Sequence, residues 1–209
     1  MTADSTAGPD VVLFDYGSGN LRSAHRALER AGAKVTLTDD LDRAEGCEGL
    51  VLPGVGAFAA CMKGIAESGV DRVVRERFGA DRPVFGICVG HQVMFSSGTE
   101  HGVTVPGIGI LPGSVDALRA PRLPHMGWNT VEPGGLDLFD GLGTGERYYF
   151  VHTYGAKGTL PDGARAAIAR HGEDFIAAVE YGSLSSTQFH PEKSGDAGAR
   201  LLANWIERL

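Results

Sequence analysis

The chain has 209 residues, of which 43% are hydrophobic and 22% charged, with a formal net charge of −7; this is the profile of a globular domain large enough to bury its own core. The acidic balance excludes a general nucleic-acid binder, which needs a basic face, and no apolar run reaches the ~18 residues of a membrane helix. The three cysteines, Cys47, Cys61 and Cys88, are odd in number and lack a C-x-x-C pair, which excludes a complete disulfide framework, argues against structural zinc and fits a reducing cytoplasm.

Residues 1–9 carry neither a basic nor an apolar leader and read as a tail, leaving 10–209 as one domain. "DVVLFDYG" is a short apolar run ending in a turn, which predicts a buried strand. "SGNLRSAHRALERAG" follows as a helix with Ser18 or Asn20 as N-cap and Gly32 as stop. "AKVTLTDD" and "EGLVLPG" are the second and third strands. Residues 58–78 read as one helix despite Gly64 and Gly69. "RPVFGIC" is a fourth strand, and "VGHQVMFSSG" a short helix. Alternating strands and helices predict a parallel sheet covered on both faces. From about residue 105 the chain turns into short strands separated by turn residues, which predicts antiparallel additions to that sheet. A final helix, "DAGARLLANWIERL", sets Leu201, Leu202, Trp205 and Leu209 along an apolar stripe.

Most single cysteines are small structural hydrophobes. Cys88 differs in its setting, because a strand runs through Gly86-x-Cys88-x-Gly90 into a helix, as in the nucleophile elbow of hydrolases with sulfur in place of oxygen. Such a turn needs tiny neighbours at ±2. The free N–H groups of the following helix favour thiolate, and the Val89 amide is placed to donate to an oxyanion. A sulfur nucleophile needs a histidine and a group to orient it. "TQFHPEKSG" supplies His190 and Glu192, two apart in an extended segment and so projecting to one side. His25 and His171 read as surface positions, His101 as a loop residue, and His125 and His152 as strand residues that are structural or line the site. No paired metal-ligand spacing occurs, so no metal is expected. "LVLPGVGAFAA" superficially matches a dinucleotide fingerprint, but Pro53 interrupts the turn and the required acidic residue is missing. It reads better as a backbone turn beside Cys88, with the Val55 amide as second oxyanion donor.

Together, "PGVGAF", "GICVGHQ", "PHMGWN", "YYFVHTY" and "FHPEKS" resemble the class I glutamine amidotransferases, and among them the glutaminase subunits of imidazole glycerol phosphate synthase in histidine biosynthesis. The resemblance covers nearly the whole chain after the tail. It implies a flavodoxin-like α/β fold, a mostly parallel sheet with helices on both faces, and no cofactor. It implies that Cys88 attacks the carboxamide of L-glutamine, that His190 and Glu192 complete the triad, and that Val89 and Val55 stabilise the oxyanions through their amides. Gln92 matches the family's glutamine-binding residue, with Gly54, Gly56, Thr153 and Tyr154 holding the amino-acid end. It implies a heterodimer with a (β/α)8-barrel cyclase that uses the ammonia to turn PRFAR into imidazole glycerol phosphate and AICAR, with Met126 and Trp128 at the interface. His91 stands where many of these subunits carry Met. A glutaminase serving anthranilate or pyridoxal phosphate synthesis, a cysteine peptidase-like hydrolase and a non-catalytic scaffold are the alternatives.

Overall fold

The structure is a computed structural model that describes residues 8–209; of the expected tail, residues 1–7 lie outside the described residues. The apolar runs form β1 (Asp10–Phe14), β2 (Lys34–Thr38), β3 (Gly49–Gly54) and β4 (Val84–Cys88), with α1 (Leu21–Arg30) between the first two. A short helix not expected from the sequence, α2 (Leu41–Gly46), precedes β3; the Asp40 carboxylate caps it by accepting from the amides of Asp42 and Arg43. The single helix expected over 58–78 is two, α3 (Phe58–Ser68) and α4 (Val70–Gly79). They break at Gly69, whose φ of 77° is open to glycine and ends the first helix.

The helix expected after Cys88 also shortens, to α5 (Val89–Gln92). Phe95 is buried and starts β5 (Phe95–Glu100) instead, pairing with β6 (Val103–Pro106) and β7 (Leu111–Ala117). Tertiary pairing here overrides a helical pattern carried by only a few residues. There follow β8 (His125–Thr130), β9 (Arg147–His152), β10 (Tyr154–Lys157), β11 (Arg165–His171), β12 (Glu173–Tyr181), β13 (Leu184–Thr187) and α6 (Gly195–Ile206).

Eleven strands form one mixed sheet in the order β2-β1-β3-β4-β13-β12-β10-β7-β5-β6, with β11 against β12. The half from β2 to β13 is parallel, and the later strands add largely antiparallel, as the change of sequence texture predicts. One expected addition does not join the main sheet: β8 and β9 pair with each other as a separate ribbon. The inner strands β1, β3 and β4 are almost wholly buried, as required when both faces are covered. None of the helices among the described residues is long and apolar enough to cross a membrane.

The parallel strands β1, β3, β4 and β13 all end at the same edge of the sheet. Ligands of open α/β sheets bind outside such carboxyl ends. The chain leaves these strands through Tyr16–Asn20, Gly54–Gly56, Cys88 and Gln188–Glu192, which gathers Asn20, Cys88, His190 and Glu192 at that edge.

Candidate active site

Cys88 closes β4 with φ 56° and ψ −109°, a conformation that L residues adopt only when surrounding structure enforces it. The enforcement comes from backbone packing. A Cβ on Gly86 would lie 2.4 Å from the Gly90 carbonyl oxygen, and one on Gly90 only 1.9 Å from that of Leu52. Both glycines are therefore required by the turn. Helix α5 is a single turn of four residues, so its effect on the sulfur comes from its first N–H groups rather than from an extended dipole.

Cys88 is 4% exposed and opens on a cavity of about 210 Å³ that His190 also lines. That volume is below the ~300–1,000 Å³ of drug-sized sites and suits a small amino acid. The expected extended geometry for His190 and Glu192 is corrected by the structure. His190 bridges to Tyr149, and Pro191–Lys193 then winds into a 3₁₀ turn, with proline at its first position. The turn swings Glu192 back, so that its Oε1 lies 2.8 Å from His190 Nδ1. The imidazole Nε2 is buried with no hydrogen-bond partner. Burial pulls the His190 pKa down, but the neighbouring Cys88 sulfur and the bonded Glu192 carboxylate outweigh it and hold the group up to about 9. At neutral pH the ring is thus a cation beside the sulfur, oriented by a carboxylate.

Asn20 is a residue the sequence misassigns. It occupies the N-cap position of α1 at φ 65°, yet its side chain makes no cap bond. Its Nδ2 instead donates to Glu192 Oε1 at 2.7 Å, fixing the carboxylate that fixes the imidazole. The local signal for capping is strong, while a partner 172 positions away leaves none. Ser18 is similar: its Oγ accepts from the Val55 N–H at 3.2 Å. The amide expected as second oxyanion donor is thus spent on Ser18 in this arrangement. The Val55 carbonyl is also held, by the Cys61 thiol at 3.5 Å.

Of the other expected residues, Val55, Gly56, Val89, Gln92, Thr153 and Tyr154 line the cavity, while Gly54 does not. Glu100, not singled out from the sequence, adds a carboxylate to the lining; its Oε2 accepts the Phe58 N–H at the start of α3. Met126 and Trp128 lie elsewhere, on the β8–β9 ribbon, and are 63% and 53% exposed. His171 is no simple surface residue, since its ring stacks on that of His125 at 4.2 Å. A larger cavity of about 400 Å³ beside Asn129 and Arg170 contains none of the reactive groups. Among the described residues, no cluster of His, Cys, Asp and Glu suits a metal ion.

Residues 12–209 match the model of the family described as glutamine amidotransferase class-I. The chain is 56% identical over 207 residues to the imidazole glycerol phosphate synthase subunit HisH of Streptomyces avermitilis, covering 95% of this chain and 96% of that protein. It is 57% identical to the HisH subunit of Mycolicibacterium paratuberculosis, at 95% and 98% coverage. A solved structure described as a glutamine amidotransferase superposes with a TM-score of 0.75 at 22% identity, covering 95% of this chain and 99% of that one. PurLQS from Thermotoga maritima gives 0.72 at 20% identity, with 96% and 99% coverage. These two show the shared fold.

Proposed function

The chain belongs to the class-I glutamine amidotransferases and, within them, to the glutaminase subunits of imidazole glycerol phosphate synthase; on that footing we propose how its residues divide the work. Cys88, as thiolate, attacks the carboxamide carbon of L-glutamine. The tetrahedral oxyanion collapses to a thioester as the His190 imidazolium gives its proton to the departing ammonia. Water then attacks the thioester, His190 takes the water's proton, and glutamate leaves with the thiolate restored. Glu192, held by Asn20, keeps the ring in register. The Val89 amide supplies one oxyanion donor. The carboxylate of Glu100 pairs with the substrate's α-ammonium, and Gln92, Gly56, Thr153 and Tyr154 complete the amino-acid end. The observation carrying this reading is that Cys88 and His190 line one small cavity, with Glu192 bonded to the His190 ring.

The ammonia passes to a (β/α)8-barrel cyclase in a heterodimer of the cytoplasm, which uses it to make imidazole glycerol phosphate and AICAR. Met126 and Trp128 support this assignment: large apolar side chains more than half exposed on a ribbon off the main sheet are the anchors of an interface core. The second oxyanion donor is set by docking, which turns the Val55 peptide away from Ser18. The test is ammonia release from glutamine by the isolated chain and by the complex with its cyclase. Since one donor is worth roughly 10²–10³ in rate, the isolated chain should be slower by about that factor. Equal rates would overturn the docking step. Ser18→Ala, which removes the acceptor, should raise the isolated chain's rate about fivefold, the worth of one neutral hydrogen bond, and leave the complex unchanged.

A further inference from the structure

From Gln92 and Tyr154 a chain of polar groups runs on through His152, His125 and Asn129, which the chemistry above does not use. Gln92 Nε2 donates to the Tyr154 carbonyl at 2.9 Å and to Gln188 Oε1 at 2.9 Å. Gln188 is fully buried, and its own Nε2 lies 3.9 Å from Cys88 Sγ. The Tyr154 carbonyl has a second neighbour, His152 Nδ1 at 2.8 Å. His152 Nε2 faces His125 Nδ1 at 2.9 Å, and His125 Nε2 faces Asn129 Nδ2 at 3.2 Å. Asn129 follows Trp128 on the partner-facing ribbon.

A carbonyl only accepts, and that fixes every proton along this line. His152 must carry its proton on Nδ1, so its Nε2 is an acceptor. His125 must then carry its proton on Nδ1 as well, and its Nε2 accepts from the Asn129 amide. One arrangement satisfies all four contacts, and in it both histidines are neutral. The directions of their pKa values agree: burial pushes His152 down to about 3 and His125 to about 4. The Asn129 amide is itself oriented, since its Nδ2 also donates to the Arg170 carbonyl and its Oδ1 accepts from the Thr130 N–H. At the other end both protons of the Gln92 amide are used on protein, which leaves its Oε1 as the group available to a ligand.

We infer that His125 is a positioning residue for glutamine binding, acting through the His152 tautomer and the Tyr154 carbonyl on the orientation of Gln92, with Asn129 setting the direction of the chain from the partner-facing ribbon. The inference rests on the glutaminase reading and adds His125 and Asn129, neither of which lines the cavity. Two variants separate the wiring from packing. His125→Phe keeps a flat ring stacked on Phe150 and His171 but neither donates nor accepts. Asn129→Leu removes the donor to His125 Nε2, so that nothing any longer holds the His125 proton on Nδ1.

The experiment is steady-state glutamine hydrolysis by the complex with its cyclase, together with ¹⁵N–¹H spectra of the histidine rings in the wild-type chain at pH 7. Each variant is expected to raise the KM for glutamine about fivefold, the equilibrium weight of roughly one lost neutral hydrogen bond, and to leave kcat within about twofold. The rate at which iodoacetamide alkylates Cys88 should not change, because the nucleophile itself is untouched. The spectra should show His125 and His152 both as neutral Nδ1–H tautomers. A His152 ring protonated on Nε2, or an unchanged KM in both variants, overturns the inference; if His125→Phe fails to fold, Asn129→Leu alone decides the kinetic arm. Absence of ammonia release from the wild-type complex would sink the glutaminase reading instead, and the ring spectra would still decide the wiring.

Discussion

Cys88→Ala is expected to lower glutamine hydrolysis by at least about 10⁴-fold, the scale on which loss of a covalent nucleophile acts, while leaving the fold in place. The fold should survive because Cys88 contributes little packing beyond its Cβ, and alanine keeps that atom. What the position does impose is backbone strain: φ 56° in a non-glycine residue costs on the order of 1–3 kcal/mol, and alanine carries the same strain as cysteine. The midpoint of urea unfolding should therefore shift little between the two proteins. Ammonia release is the decisive measurement, taken with the complex so that both oxyanion donors are in place. A variant retaining even one per cent of wild-type turnover would remove Cys88 from the nucleophile's role and return the elbow to a structural turn. Glutamine should still bind to the alanine variant, since Gln92, Glu100 and the Tyr154 backbone are unaffected.

The parts of the molecule that were legible in the sequence share one property: their signals are local. The strands β1, β3 and β4 are continuous apolar runs, and the elbow is spelled by Gly86, Cys88 and Gly90, each required by contacts the backbone makes within a few ångströms. The pairing of His190 with Glu192 was also legible, though its geometry was not: Pro191 starts a turn where an extended segment was expected, and the turn brings the carboxylate back to the ring by another route. What could not be read were side chains whose partners lie on other strands. Asn20 takes the position of a helix cap without capping: its amide nitrogen donates to the charged Glu192 carboxylate, a partner set by tertiary packing. Glu100 and Gln188 carry no local pattern at all, and Ser18 reads only as a cap; their roles become visible when the exits of β3, β4 and β13 and the end of β5 meet at the cavity. The shortened α5 has the same cause, since the β5 pairing that claims Phe95 is set by residues more than a turn away.

Acid should unfold this protein steeply. Three buried histidines, His91, His125 and His152, are held neutral, with burial pushing their pKa values to about 3, 4 and 3. In the unfolded chain each titrates near 6.5. Because the folded values are depressed, the unfolded state binds more protons between pH 6.5 and about 4, and stability falls as pH falls through that window. Above 6.5 the effect is absent. Each histidine removes about 1.4 kcal/mol per pH unit once pH is below about 6, so the three together remove roughly 4 kcal/mol per unit. A domain with about 8 kcal/mol of stability, within the usual ~5–15, would lose it about two units lower, near pH 4. His190 works in the opposite direction: its raised value, about 9, makes its contribution complete below 6.5 and lost as pH climbs through 9, so it adds nothing to the acid slope. The measurement is the free energy of urea unfolding at several pH values between 6 and 5. A slope near 4 kcal/mol per unit is expected there, three times that of a single histidine. A flat profile would mean that these rings are protonated in the native state, which is incompatible with the donor directions the Tyr154 carbonyl imposes on His152 and His125.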